Sequence, residues 1–294
     1  MKAVSSTLLL VLYFAIAGCA SKKYENVAYL DSTTSKIPQP SLNIFTPKSK
    51  KFQNTPVLLF VHGGNWKAGD KKMYSLLGRN FAKKGVSTVI VGYTLSPNAN
   101  YDQMATQVGK AVEWTYNNIA NYKGDPNQIF LTGHSAGGHL AALVGTNPKY
   151  LKDKYMVKGI ILNDAFCLDM KSFLEIIPPT NENYYLTTWG NDPAAWENGS
   201  PICFLDSTDP PFMMYLGKKT YDGILITNNM FLDELHKYQP DVQPIFLNKK
   251  HISMVVQYFF PWNHRVDEIK DFMAKHKIQV HKKELEAITS TDAP

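Results

Sequence analysis

Two patterns of apolar residues alternate along most of the chain. Short, nearly continuous apolar runs are typical of strands buried on both faces, and apolar positions three or four residues apart are typical of helices packed on one side. The runs predict strands at 56–61, 86–92, 128–132, 157–162, 212–216 and 242–247. The stretches between them predict helices at 74–84, 103–120, 138–146, 224–238 and 264–276. This order predicts an α/β fold: a mostly parallel central sheet covered by helices on both faces.

The alternation breaks between residues 165 and 199, where aromatic side chains concentrate. Because this insertion follows the carboxyl end of a strand, where such sheets bind ligands, we expect it to form a cap over the site. A second aromatic run, Tyr258–Trp262, is expected to add a wall. For any single ring, closing the core remains an equal alternative to lining a pocket. The aromatic residues of the insertion include Phe166, Phe173, Tyr184, Tyr185, Trp189 and Trp196.

The first 18 residues have the layout of a secretory signal peptide. Lys2 precedes the apolar run Leu8–Ala17, which is too short to span a bilayer. The run ends in Ile16-Ala17-Gly18-Cys19, which resembles the bacterial lipobox and implies lipidation of Cys19. We therefore expect a bacterial lipoprotein anchored through Cys19, with its domain outside the cytoplasm, on the periplasmic side or the cell surface. An ordinary signal peptide or an uncleaved anchor is the alternative.

The remaining chain divides into three parts. Residues 19–40 are predicted to be the lipidated cysteine and a polar tether, in which Tyr24–Leu30 can add an edge strand. Residues 41–277 are predicted to form one globular domain, and residues 278–294 a polar tail. Composition agrees, because 44% hydrophobic and 19% charged residues in a chain of 294 suffice for a full core.

The net charge of +6 at pH 7 narrows the partners only a little. The lysines are scattered and do not alternate with aromatic residues, so a nucleic-acid platform is not expected. A weak attraction to anionic membrane or polysaccharide surfaces remains open. The oligomeric state is left open.

The pentapeptide Gly133-His134-Ser135-Ala136-Gly137 carries the strongest chemical information. It stands between a predicted strand and a predicted helix, which is the context of a nucleophile elbow. In that turn, flanking glycines relieve crowding while the serine hydroxyl projects from the edge of the sheet. Ser135 is therefore the predicted nucleophile.

A second glycine-rich motif, His62-Gly63-Gly64-Asn65-Trp66, follows the strand at 56–61. Acyl transfer places negative charge on a carbonyl oxygen, which backbone N–H groups fixed in advance stabilise best. The amides of Gly64, Asn65 and Ala136 are the predicted oxyanion hole.

These motifs resemble those of α/β hydrolases in the carboxylesterase and hormone-sensitive-lipase-like group. The nearest branch contains bacterial feruloyl and acetyl-xylan esterase-like proteins and kynurenine formamidases. The resemblance covers roughly residues 40–275 and is strongest over 56–146. Further matching segments are Gly92–Pro97, Ala111–Trp114, Tyr122–Pro126, Ser200–Ile202 and Asp209–Phe212. It implies the α/β hydrolase fold, a serine nucleophile and no cofactor.

Chain order predicts the catalytic base. In α/β hydrolases the nucleophile is followed by the acid and then by histidine, so the base is expected beyond the last strand. His251, just after the strand at 242–247, has this position. It can accept the proton of Ser135 and return it to the leaving group.

The triad acid is where the chain departs from the family. The family's acid follows a glycine after the strand at 212–216, and Thr220 occupies that position. Asp222, two residues on, is the predicted acid, with an ordinary role in an Asp-Gly turn as an equal alternative. Asp209 and Asp164 are weaker candidates.

Cys167 and Cys203 stand near the two ends of the insertion, and their pairing is left open. No histidine, cysteine or carboxylate spacing indicates a metal site.

Together these features predict a serine hydrolase that cleaves carboxylic esters through an acyl-enzyme. The aromatic cap favours aryl, cinnamoyl or acetylated-sugar esters as substrates. An amide or formamide hydrolase using the same residues is one alternative. The other is a non-catalytic, hydrolase-like binding lipoprotein, which the threonine at 220 favours.

Overall fold

The computed structural model describes residues 21–30 and 39–277. Cys19, the predicted signal peptide and the predicted tail at 278–294 lie outside the described residues.

In the part of the chain that the structure describes, eight strands form one sheet in the order β1-β2-β4-β3-β5-β6-β7-β8. Only the pairs β1–β2 and β2–β4 are antiparallel, and all other neighbours are parallel. The predicted mostly parallel sheet is confirmed. The strands are β1 Ser21–Ala28, β2 Ser41–Pro47, β3 Thr55–Val61, β4 Ser87–Val91, β5 Gly124–His134, β6 Gly159–Asn163, β7 Phe212–Gly217 and β8 Ile245–Leu247.

Helices cover both faces of this sheet, as predicted. Alternate residues of β3 show the division: Leu59 and Val61 belong to one core cluster, and Leu58 and Phe60 to the other. The fully buried side chains of each strand contribute roughly 1.5–3 kcal/mol apiece. The helices are α1 Ser75–Lys83, α2 Tyr101–Asn118, α3 Ala136–Thr146, α4 Met170–Ile176, α5 Tyr185–Trp189, α6 Pro193–Asn198, α7 Asp222–Leu235, α8 His251–Val256 and α9 at 265–277.

Several elements differ from the sequence expectations, and β5 begins at Gly124, four residues before its predicted start. The strand β2 has no predicted counterpart, because Asn43 and Thr46 interrupt its apolar run; both are buried in the sheet. The edge strand β1 begins at Ser21, three residues before the expected start. A helix, α8, begins at His251, where the sequence pattern predicted none.

The insertion at 165–199 contains three short helices, α4 to α6. Its two tryptophans, Trp189 and Trp196, are buried in the core. No helix in the described residues has the length and apolar character that crossing a bilayer requires.

Candidate active site

Ser135 lies in a strained turn between β5 and α3. Its φ of 56° is in the left-handed region, which is costly for a residue with a side chain. A Cβ at Gly133 would lie 2.2 Å from the carbonyl oxygen of Gly137. A Cβ at Gly137 would lie 2.2 Å from that of Val61. Only glycine fits at either position, so the pentapeptide folds into the sharp turn that its sequence predicts.

His251 joins Ser135 to a buried carboxylate. Its Nε2 lies 2.9 Å from Ser135 Oγ, and its Nδ1 lies 2.6 Å from Asp164 Oδ2. An ionised carboxylate only accepts hydrogen bonds, so Nδ1 carries the proton and Nε2 is free to accept from the serine hydroxyl. This is the hydrogen-bond chain of a Ser-His-Asp triad.

Asp164 follows β6 directly and is fully buried. Its Oδ1 accepts from the backbone N–H of Gly217 at 2.8 Å. Its Oδ2 accepts from His251 and from the Thr220 hydroxyl. A buried carboxylate needs such partners, since an unpaired charge in the interior is costly. Asp164 is therefore held as an acceptor aimed at the imidazole.

The structure corrects the predicted acid. Asp222 is an exposed first residue of α7 and has no hydrogen bond to His251. Asp209 is paired with Lys154, whose Nζ lies 2.7 Å from its Oδ1. Asp164, weighed as a weaker candidate, is the carboxylate at the imidazole. The sequence signal for Asp164 was its position directly after β6, the strand next to β5. The order of nucleophile, acid and histidine along the chain is kept.

The glycine-rich loop after β3 lies against the nucleophile. A Cβ at Gly63 would lie 3.0 Å from Ser135 Cβ. Gly64 has φ +127°, and Asn65 has φ 52°. Both line the cleft beside Ser135, and Ala136 begins α3 just after it. Within the described residues, the N–H groups of Gly64, Asn65 and Ala136 donate to no protein acceptor, so three donors remain available.

Buried rings fix this loop in place. His62 stacks on Tyr93, with ring centroids 4.5 Å apart, and its Nδ1 lies 2.9 Å from the Gly63 carbonyl oxygen. Trp66 is fully buried and makes edge contacts with His139 and Trp189. Rigid support of this kind keeps backbone donors in a fixed position.

His134 packs against the imidazole of His251. Its ring lies 4.5 Å from that of His251 between centroids, and its Nε2 lies 3.0 Å from the His251 carbonyl oxygen. Burial, with a smaller contribution from His251, lowers the pKa of His134 to about 3. His134 is therefore neutral at pH 7 and adds no charge beside His251.

A cleft of about 710 Å³ opens over Ser135. Its walls are mostly apolar. Phe166 and Tyr185 of the insertion line it, whereas Trp189 and Trp196 pack in the core. From the later aromatic run, Phe259 lines the cleft and Tyr258 is buried beside Phe81. The insertion thus supplies two rings to the cleft. The other large side chains in the lining are Met73, Tyr74, Tyr221, Ile252, Val255 and Val256.

The two cysteines near the ends of the insertion do not line this cleft. Cys167 and Cys203 are free thiols, and burial raises the pKa of Cys167 well above its usual range. Among the residues that the structure describes, no cluster of three or more histidine, cysteine or carboxylate side chains could hold a metal ion.

The sequence model of the BD-FAE family matches residues 42–222, more than half of the chain. The chain belongs to the BD-FAE family. The match begins in β2, ends at the first residue of α7, and contains Ser135 and Asp164.

Three curated relatives align with parts of this BD-FAE chain. Esterase LipQ of Mycobacterium tuberculosis is 30% identical over 57% of the chain and 42% of its own length. The isoprenylcysteine alpha-carbonyl methylesterase ICME of Arabidopsis thaliana is 35% identical over 36% of the chain and 24% of its own length. Kynurenine formamidase of Danio rerio is 32% identical over 40% of the chain and 41% of its own length. The chain thus spans less than half of each relative.

Solved structures share the whole architecture at low sequence identity. Esterase B of Lactobacillus rhamnosis, solved with a tributyrin phosphonate, has a TM-score of 0.75 at 19% identity and covers 96% of both chains. A carbohydrate esterase from gut microbiota has a TM-score of 0.70 at 21% identity, covering 87% of this chain and 96% of its own. The α/β hydrolase fold is confirmed.

Proposed function

We propose that the chain is a serine hydrolase that cleaves carboxylic esters through an acyl-enzyme. The observation that carries this proposal is the pair of hydrogen bonds that His251 makes to Ser135 and Asp164. Names of relatives support the reaction class, since LipQ and ICME are named as esterases.

In the first step, His251 Nε2 takes the proton of Ser135 as Oγ attacks the ester carbonyl carbon. The imidazolium that forms is stabilised by Asp164, which also holds the required tautomer. The carbonyl oxygen becomes an oxyanion, which the N–H groups of Gly64, Asn65 and Ala136 are arranged to receive. Collapse of the tetrahedral intermediate breaks the bond to the alcohol, which leaves with the proton from His251.

In the second step, water replaces the alcohol. His251 takes a proton from the water, and the hydroxide attacks the acyl carbonyl held by Ser135. The acid is released, and the proton returns to Ser135. The apolar lining of the cleft supports an apolar acyl group, whether aliphatic or aryl. A preference for aryl, cinnamoyl or acetylated-sugar esters remains a proposal, and it rests on the two aromatic rings that the insertion contributes to the cleft.

The test is turnover of p-nitrophenyl acetate and butyrate by the full chain and its Ser135→Ala variant. We expect turnover that disappears in the variant, together with labelling of Ser135 by a fluorophosphonate. A folded wild-type chain with neither turnover nor labelling would favour the non-catalytic binding lipoprotein.

A formamide or amide hydrolase is the second candidate, because kynurenine formamidase is among the relatives. The same residues would act, with an amine as leaving group. Comparing kcat/KM for N-formyl-kynurenine and p-nitrophenyl butyrate decides between the two. A ratio strongly in favour of the formamide would replace the ester assignment.

We also propose that the protein is a bacterial lipoprotein anchored through Cys19 outside the cytoplasm. The proposal rests on the apolar run and Ile16-Ala17-Gly18-Cys19 alone. Metabolic labelling with palmitate should mark the wild type but not Cys19→Ala. Equal labelling of both would exclude Cys19 as the acceptor.

A further inference from the structure

Three loops around the mouth of the cleft repeat one sequence pattern. Each has a Lys-Lys pair followed, directly or after one residue, by a large apolar residue. We refer to these three loops together as the collar. They are Lys71-Lys72-Met73, Lys218-Lys219-Thr220-Tyr221 and Lys249-Lys250-His251-Ile252.

The apolar residues of the collar combine two properties that rarely coincide. Met73, Tyr221 and Ile252 line the cleft, yet they are 65%, 62% and 61% exposed. A scattered exposed apolar residue needs no explanation, whereas a group around the opening of one cleft indicates an interaction site.

The lysines are the second feature of the collar. Within the described residues, none of the six forms a salt bridge. Some lysines elsewhere, such as Lys84 with Asp267, are paired, and others are not. Asp70 and Asp222 are close in sequence, and Glu25 of β1 interacts electrostatically with Lys71 and Lys72, so the six lysines still outnumber the nearby carboxylates.

The three loops emerge from the same edge of the sheet. Two of them follow the carboxyl ends of β7 and β8, and the third follows the glycine-rich loop after β3. The Lys219 N–H donates to the Lys249 carbonyl oxygen at 3.1 Å, which ties the first two together. The Lys218-Lys219 and Lys249-Lys250 segments therefore form one surface beside the opening, and Met73 adds an apolar side chain to it, whereas the Lys71 side chain lies beside Gly92 in a separate pocket.

The combination of positive charge and exposed apolar side chains identifies the partner. Lysines near an anionic lipid surface contribute attraction, and apolar side chains beside them enter the boundary between headgroups and acyl chains. An anionic polysaccharide would satisfy the lysines but has no apolar phase for Met73 and Ile252. The combination fits a lipid surface better.

We propose that the collar docks on an anionic lipid surface, so that the cleft opens onto the membrane. The docking is independent of the reaction. The consequence for substrate rests on the proposed function: the ester is carried in the lipid phase and has an apolar acyl chain.

The test measures partition of the full chain, as Ser135→Ala, between buffer and vesicles. Vesicles of phosphatidylcholine alone are compared with vesicles containing 30% phosphatidylglycerol (a composition of roughly physiological charge). The N-terminal apolar run gives a background common to all variants. We expect K218Q/K219Q and K249Q/K250Q each to lower partition into the anionic vesicles by about tenfold. High salt should remove this difference.

Matched controls carry the same changes at the opposite edge of the sheet. K50Q/K51Q alters an exposed pair in the loop before β3 and should change partition less than about twofold. Tyr221→Ser should lower partition about fivefold. Tyr155→Ser, at a site 71% exposed in the turn before β6, should leave partition nearly unchanged.

Three results would overturn the docking: no preference for anionic vesicles, equal losses in the collar and control pairs, or binding to polygalacturonate that depends on the lysines but not on Tyr221. Partition needs no turnover, so failure of the ester assay leaves this result standing. Conversely, turnover of soluble esters without the partition pattern would keep the proposed function and remove the docking.

Discussion

The Thr220 hydroxyl donates a hydrogen bond to Asp164 Oδ2, the oxygen that also accepts from His251 Nδ1. Thr220 occupies the position of the triad acid in the family that the sequence resembles. The carboxylate instead follows β6, the strand paired with β7, and the Asp164 N–H donates to the Tyr215 carbonyl oxygen at 2.8 Å. Because the two strand ends are adjacent, a carboxylate on either can reach the same imidazole. The threonine then serves as a donor that holds the carboxylate in place.

Replacing Asp164 by asparagine tests which carboxylate acts. Asp164→Asn keeps the shape but removes the charge that stabilises the imidazolium and selects its tautomer. We expect kcat for p-nitrophenyl butyrate to fall by about 10⁴-fold, with little change in KM. Asp222→Asn, which alters an exposed carboxylate that makes no hydrogen bond to His251, is the matched control and should keep nearly full kcat. The reverse pattern would restore Asp222 as the acid.

Moving the carboxylate tests whether the family position is still usable. In the Asp164→Asn background, Thr220→Asp places a charge where the Thr220 hydroxyl now lies, 3.5 Å from His251 Nδ1. We expect kcat to recover at least about tenfold over Asp164→Asn alone, because a charge returns to the imidazole. Thr220→Asn in the same background supplies the shape without the charge and should give no recovery.

Thr220→Asp alone should behave differently. It sets two carboxylates against each other, and like charges so close favour a retained proton on one of them. We expect lower kcat than in the wild type. Activity above the wild type would show that the threonine contributes nothing to the placement of Asp164.

The oxyanion loop offers a paired glycine experiment. A Cβ at Gly64 would lie 2.0 Å from the Ala68 carbonyl oxygen, and its φ of +127° disfavours any side chain. Gly64→Ala must therefore shift the loop, and we expect kcat to fall by about 10²-fold or more as donors leave their positions. Gly190 also has positive φ, +62°, but no atom lies within 4 Å of its Cβ position.

Gly190→Ala is thus the control for backbone strain without a clash. It should lower the free energy of unfolding by about 1 kcal/mol and leave kcat unchanged. Unfolding in urea and ester turnover measure the two effects. Equal losses of kcat in both variants would show that the glycine-rich loop has no specific role in the reaction.

The sequence predicted most of the fold because strands and helices in this chain follow their hydrophobic periods. Ser135 and His251 came from local motif and chain order, and the structure brings them together. Asp164 was given too little weight, since its position depends on which strands are neighbours and on a turn with φ 52° that directs its carboxylate. The hydrophobic periodicity of a single segment predicts neither the order of the strands in the sheet nor the conformation of that turn.

The elements that the sequence did not predict were missed for similar reasons. In β2, Asn43 is acceptable inside the sheet because its Oδ1 accepts from the Asn26 N–H of a neighbouring strand, at 3.1 Å. That partner is known only once β1 and β2 are paired. The short helix after Lys250 depends on contacts from other segments, such as the hydrogen bond from Asn163 Nδ2 to the Met254 carbonyl oxygen at 2.9 Å.

Acid sensitivity should trace in part to His139 in α3. Burial lowers the pKa of His139 to about 4, although its Nε2 donates to the Gly199 carbonyl oxygen at 2.8 Å. The unfolded chain binds this proton near pH 6.5, whereas the folded chain does so only near pH 4. Protonation between these values therefore favours the unfolded chain, and stability falls as the pH drops.

Between pH 7 and pH 5, we expect His139 alone to remove about 2 kcal/mol from the free energy of unfolding. His139→Gln cannot be protonated, so its loss over this interval should be smaller by that amount, even if its stability at pH 7 is lower. Urea unfolding at both pH values measures the difference. His264→Gln, at an exposed position, controls for the general loss of a histidine, so the comparison of the two variants isolates the buried position. If both variants follow the wild type, His139 is not among the groups that destabilise the fold in acid.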